Sequence, residues 1–140
     1  MYRTSPYLPL ALLTVALLSP ACGNDSQTPT TPTATPPETT DTFDGTVTVN
    51  GAVIHPFTVQ RAGTVTVRIA ALEPDATVVL GLNLGTWNGL VCDLKLAATS
   101  ATLNTLITGT ASTSGDFCAY IHDVGKLTAP ASYQIVVTHF

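Results

Sequence analysis

From residue 42 onward, apolar and polar side chains alternate with the period of two that marks strands resting on a core. Phe43, Gly45, Val47 and Val49 share one face of the first such stretch, with Thr46 and Thr48 on the other. Asn50-Gly51 has the composition of a two-residue hairpin turn, and a returning strand follows from Ala52 to Val59, with His55, Phe57 and Val59 in phase. Pro56 has no amide proton to donate, which places that strand at a sheet edge or at a bulge. Ala62-Gly63 turns the chain into a third strand with Val65, Val67 and Ile69 inward, and Glu73-Pro74-Asp75 turns it again. Val78, Leu80, Leu82 and Leu84 set the phase of a fourth strand. Trp87-Asn88-Gly89 reads as the loop before a fifth, residues 90–96.

Residues 97–110 alternate poorly, and their Thr and Ile content predicts a loop followed by a short strand. The clearest stretch comes next. In Gly115–Asp123, Phe117, Ala119 and Ile121 share one face while Cys118, Tyr120 and His122 share the other, the signature of a buried strand. A connection over 126–131 leads to a last strand over 132–139, with Tyr133, Ile135 and Val137 inward. Seven or eight short strands separated by turn signals, with no sustained helical period, predict an all-β fold. The expected architecture is an antiparallel β-sandwich, jelly-roll-like.

Composition favours an extracytoplasmic β-protein over a cytosolic enzyme. The chain has 140 residues, enough for one domain plus extensions, and only 10% are charged, far below the usual quarter. Its surface must therefore be largely Thr, Ser, Asn and Gly. A net charge of −4 with five Lys and Arg leaves no basic footprint for nucleic acid and no polybasic run for anionic lipid head groups.

The first 21 residues have the three parts of a secretory signal peptide. Arg3 supplies the positive start, the run YLPLALLTVALL the apolar centre, and Ser19 and Ala21 the small residues before Cys22. The apolar run is about twelve residues, short of the ~20 that a membrane-spanning helix needs. Of three cysteines, Cys92 and Cys118 lie within the alternating region and are expected to form a disulfide in the oxidising compartment that the leader implies. Zinc is the alternative, but no CxxC and no clustered His accompany them. Cys22 is then the odd one. The run Leu18-Ser19-Pro20-Ala21-Cys22-Gly23 resembles a bacterial lipobox, whose cysteine receives diacylglycerol and becomes the mature N-terminus. The ordinary signal peptidase, reading Ser19-x-Ala21, would cut the same bond. The resemblance implies a lipoprotein secreted across the inner membrane and held on a membrane by its N-terminal acyl chains. Gly23 in place of Asp resembles the sorting signal for the outer membrane.

Residues 22–41 form the tether expected behind such an anchor. They contain four prolines, many threonines and no apolar period, so they cannot bury enough surface to offset their ordering entropy. At ~3.1 Å per residue in a polyproline-like conformation, 23–41 reach about 60 Å. A Pro-rich ligand for a partner domain is the alternative. Asn24-Asp25-Ser26 is a formal glycosylation sequon. The domain proper is expected over 42–140.

Four spaced motifs resemble those of the bacterial pre-peptidase C-terminal domain: Phe57-x-Val59, Gly63-x-Val65-x-Val67-x-Ile69, Gly115-x-Phe117-x-Ala119-x-Ile121 and Tyr133-x-Ile135-x-Val137. The resemblance covers residues 51–138. It implies a jelly-roll-like sandwich of the kind appended to secreted peptidases and other surface proteins, some relatives of which resemble carbohydrate- or collagen-binding modules. The family's Asp-Leu-Tyr motif is replaced here by Val78-Val79-Leu80-Gly81-Leu82.

Candidate chemistry is sparse. His122 and Asp123 are adjacent on a strand and point to opposite faces, so they form no dyad. Neither Gly-x-Ser-x-Gly nor His-Glu-x-x-His occurs, and His55, His122 and His139 are scattered. Gly81, Gly85 and Gly89 do not precede a helix, which argues against a phosphate loop. A non-enzymatic protein is expected. Asp44, Asp75, Asp93, Asp116 and Asp123 fall at strand ends or turns. Asp93, Asp116 and Asp123 are the calcium candidates among them, although aspartate favours turns through its own backbone hydrogen bonds, and that reading is preferred. Trp87 with Asn83, Asn88 and Tyr120 offers the ring-and-amide chemistry of sugar binding, against the simpler reading that Trp87 plugs one end of the sandwich. The expected function is a non-enzymatic, lipid-anchored cell-envelope domain with a structural or macromolecule-binding role, its partner a polysaccharide or an envelope protein. The alternatives are a carbohydrate-binding module using Trp87, or an accessory domain of a secreted hydrolase system.

Overall fold

A computed structural model describes residue 34 and residues 37–140. The signal peptide, Cys22 and most of the tether lie outside them. The described chain contains eight strands: β1 Thr39–Val47, β2 Ala52–Val59, β3 Gly63–Glu73, β4 Leu80–Trp87, β5 Cys92–Ala101, β6 Leu106–Ala111, β7 Gly115–Asp123 and β8 Ala131–His139. They form two four-stranded sheets, ordered β1-β8-β3-β6 and β2-β7-β4-β5, and every pairing is antiparallel. Only β4 and β5 are consecutive strands within one sheet; each other connection crosses from sheet to sheet. That winding is a jelly roll.

Alternation fixes which residues fill the space between the sheets. Val65, Val67 and Ile69 of β3, Leu80, Leu82 and Leu84 of β4, Ala119 and Ile121 of β7, and Tyr133, Ile135 and Val137 of β8 are all buried. Each large one contributes ~1.5–3 kcal/mol on removal from water. A register shift between Ile69 and Ala71 changes the phase of β3, which brings Leu72 into the core in turn.

Four expectations change. β1 begins at Thr39, inside the segment assigned to the tether, because Thr39, Thr40 and Asp41 pair with the end of β8. Asn50-Gly51 does not make a two-residue hairpin: β1 and β2 belong to different sheets. Instead Gly51 N donates to Thr48 O at 2.8 Å, and Asn50 takes the positive φ of 56° in a turn that carries the chain between sheets. Trp87 is the last residue of β4 rather than a loop residue, and β5 runs on to Ala101. The polar Thr99 and Ser100 hid the rest of β5, because it is an edge strand with most residues exposed. Pro56 does sit on an edge strand, β2.

The registers sort the connections between two ends. At the end where β1 begins, Thr39 lies opposite His139, Val59 opposite Gly115 and Gly63 opposite Ala111. This proximal end carries the loops 60–62, 88–91 and 112–114. The distal end carries 48–51, 74–79, 102–105 and 124–130.

Candidate functional site

With Leu80, Leu82 and Leu84 in the core, Gly81, Asn83, Gly85 and Trp87 turn to the outer face of the β2-β7-β4-β5 sheet. The register sets His122 opposite Gly81, Tyr120 opposite Asn83 and Cys118 opposite Gly85. Two of these positions need glycine. A Cβ on Gly81 would strike the His122 ring, and one on Gly85 would strike the Asp93 carbonyl. Beside Gly85 the β4–β5 register shifts, so the start of β5 folds over β4. Cys92 thereby reaches Cys118 across an intervening strand, with a Cα–Cα distance of 5.8 Å, and the two form the disulfide that the sequence indicates.

This arrangement divides the proposed sugar-binding set. Asn83 is only 3% exposed, and its Nδ2 lies 3.2 Å from His122 Nδ1 and 3.5 Å from the Tyr120 carbonyl. Asn88 Oδ1 accepts hydrogen bonds from Leu90 N (2.9 Å) and Val91 N (2.8 Å). The Asn83 amide nitrogen and the Asn88 amide oxygen are therefore used within the fold. Trp87 is half-buried at the end of β4, four residues and about 13 Å from Asn83 along the strand. The structure joins Asn83 to Tyr120, whose ring tilts against His122 at 5.1 Å, and Trp87 to Asn88. The two pairs stand apart, with the disulfide between them.

The aspartates do not converge either. Asp123, at the distal end, accepts from the Asn50 amide through Oδ2 (2.9 Å) and from the Gly125, Lys126 and Leu127 amides through Oδ1 (2.8, 2.9 and 3.1 Å). These bonds, that from Asn50 first, hold its carboxyl below the ordinary carboxylate range. Asp116 and Asp93 belong to the proximal end, where Asp116 accepts from the Thr58 hydroxyl at 2.8 Å and Asp93 pairs with Lys95. Asp44 is bonded to Gln134 and Asp75 to the Thr77 amide. Among the described residues, no three His, Cys, Asp or Glu are grouped to hold a metal ion.

Each remaining histidine serves the fold. His55 faces inward from β2, stacks on Phe43 at 4.9 Å and shares a 2.7 Å hydrogen bond with the Tyr133 hydroxyl. Burial lowers its pKa, opposed by the charge of Asp44, and burial pushes Tyr133 up to about 12. His139 is buried against Asp41 at 2.9 Å. These contacts close the β1/β2 side of the sandwich. The β5/β6 side is open, with a cleft of about 380 Å³ lined by Leu84, Leu96, Gly109, Ala111 and Phe117 and edged by Lys95.

The most exposed apolar residues were not singled out by sequence. Among the described residues Leu90 is 86% exposed, Val91 57%, Leu106 55% and Leu94 44%. Leu90 and Val91 sit in the β4–β5 hairpin, whose turn places Gly89 at φ +94° and returns a 3.3 Å bond from Asn88 N to Val91 O. The sequence signal was the Asn88-Gly89 dipeptide, which here opens a four-residue loop with Gly89 at positive φ. No protein-family model and no curated protein matches the chain.

Proposed function

We propose that this is a non-enzymatic domain held on the cell envelope by an acylated Cys22, and that it acts there by binding a macromolecule. The observation that supports the anchor is the Cys92–Cys118 disulfide: it takes two of the three cysteines and leaves Cys22, beside a lipobox-like run, for lipid. The observation that supports binding is the cleft of about 380 Å³ on the β5/β6 side, lined by Leu84, Leu96 and Phe117. Several acyl chains, at ~0.8 kcal/mol per buried methylene, hold a protein on a membrane almost permanently. The mass of the N-terminal peptide from protein recovered in the membrane fraction tests the anchor. Diacylglycerol on Cys22, and release of Cys22→Ala from membranes, is expected; an unmodified Cys22 in membrane-bound protein contradicts it.

A polysaccharide ligand keeps one supporting observation, the half-exposed indole of Trp87. With Asn83 buried and the Asn88 oxygen occupied, stacking on Trp87 or Tyr120 would have to carry most of the affinity. Titrating the protein with envelope and plant polysaccharides while following Trp87 fluorescence decides it. A saturable shift with one glycan supports this reading, and indifference to all of them removes it.

A further inference from the structure

We propose that the tip of the β4–β5 hairpin, Leu90 and Val91 backed by Trp87 and Leu94, rests in the interfacial layer of a phospholipid bilayer. This deepens the reading of Cys22 as a membrane anchor and rests on it for its geometry. Four features of the tip point to lipid.

First, its apolar side chains have no role in the fold. Leu90 is 86% and Val91 57% exposed, the two highest values among the large exposed apolar residues. Second, three of its backbone amides already have partners. The Leu90 and Val91 amides both donate to Asn88 Oδ1, and the Val91 carbonyl accepts from Asn88 N. A loop entering a region without water must solve that problem, because each unpartnered amide costs several kcal/mol there. Third, the tip is held in place: the disulfide begins at Cys92, one residue beyond Val91, so little ordering entropy remains to be lost on contact.

Fourth, the tip lies at the proximal end, where the chain from Cys22 joins β1 at Thr39. The intervening residues reach at most about 50 Å at ~3.1 Å each. The end of the sandwich at which the chain from Cys22 enters is thus the end that bears the aliphatic tip. No charge occurs from Trp87 to Cys92. The cations nearby are engaged, Arg61 over the Phe140 ring at 4.8 Å and Lys95 with Asp93. The lipid surface it suits is therefore zwitterionic, with no gain from anionic head groups.

The chain's single tryptophan stands beside the tip and reports on it. The full chain, weighed first to establish whether Cys22 is acylated, is mixed with phosphatidylcholine vesicles brominated on the acyl chains. Quenching of Trp87 is expected, unchanged when anionic lipid is added. It should be lost in Leu90→Asp/Val91→Asp at equal membrane load, with the disulfide and the far-ultraviolet spectrum intact. Acylated protein that binds vesicles without quenching overturns the inference and leaves the anchor standing. Unacylated protein that is quenched by excess vesicles overturns the anchor and upholds the tip. Quenching that survives the double substitution, or a Trp87 response to a soluble glycan or protein alone, also overturns it.

Discussion

The two ends of this sandwich are built from different chemistry. At the distal end one carboxylate, Asp123, gathers four backbone amides and ties the 124–130 connection to the turn at Asn50. Asp75 and the 102–105 turn are closed in the same way, by side-chain oxygens on backbone N–H groups. Polar bonds close the turns of that end, while Val49 and Leu106 stand 43% and 55% exposed beside them. The proximal end is fastened by a covalent bond that crosses a glycine, and beyond that bond it presents bare aliphatic side chains. Among the described residues, the largest aliphatic exposure, at Leu90, thus falls at the proximal end. Both ends answer turn amides with side-chain oxygens, Asn88 doing so at the proximal end. What separates them is the disulfide and the exposed Leu90 and Val91 beside it.

The largest break in this comparison comes from the disulfide. Replacing Cys92 and Cys118 by Ala, or reducing them, is expected to cost ~3–4 kcal/mol on the loop-entropy model, read from urea denaturation with and without reductant. Next is Gly85→Ala, whose methyl meets the Asp93 carbonyl and lifts β5 away from β4. A cost of ~1–3 kcal/mol is expected for such overpacking. Gly115→Ala meets nothing within 4 Å and serves as the control, expected within about 0.5 kcal/mol of the parent.

Acid sharpens the contrast from the other end. Asp123 is held below its ordinary 3.8, so its contribution is complete above that value and is lost as pH falls through the lower folded value. His55 is held below 6.5 by burial. The unfolded chain therefore takes up that proton first, and stability declines as pH drops below 6.5 toward the folded value. Urea midpoints measured down the acid range should fall in two limbs. Asp123→Ala should flatten the lower limb and His55→Gln the upper, while substitutions at the proximal tip should leave both unchanged. The smallest effect belongs to Leu90→Ser with Val91→Ser: side chains outside the core should change stability by no more than about 0.5 kcal/mol.

Much of the fold was legible because a buried strand writes its period into the sequence. Gly115–Asp123, the strand carrying Ala119 and Ile121, was found with its bounds and both faces, and the inward residues of β3, β4 and β8 followed the same rule. Edge strands were harder. β5 packs one partner and meets solvent along most of its length, so Ala97 to Ala101 carry little alternation. The turn dipeptides were ambiguous for another reason: Asn-Gly marks a chain reversal but does not say whether the strands it joins share a sheet. The disulfide was legible from counting, but not the glycine at 85 that lets it cross a strand. The candidate site was least legible. Asn83 and Asn88 looked available for a ligand in sequence, and only three-dimensional neighbours show their amides engaged by His122, Leu90 and Val91. Leu90 and Val91 looked like ordinary strand residues, since exposure at a hairpin tip is set by topology.

Hydrogen exchange read by mass spectrometry, with the full chain on phosphatidylcholine vesicles and in buffer, compares the two ends in one experiment. The account predicts that vesicles slow exchange across 88–94 and leave 48–51 and 124–130 as they were. Slowing at the distal end, or none at the hairpin while the protein is membrane-bound, would contradict it.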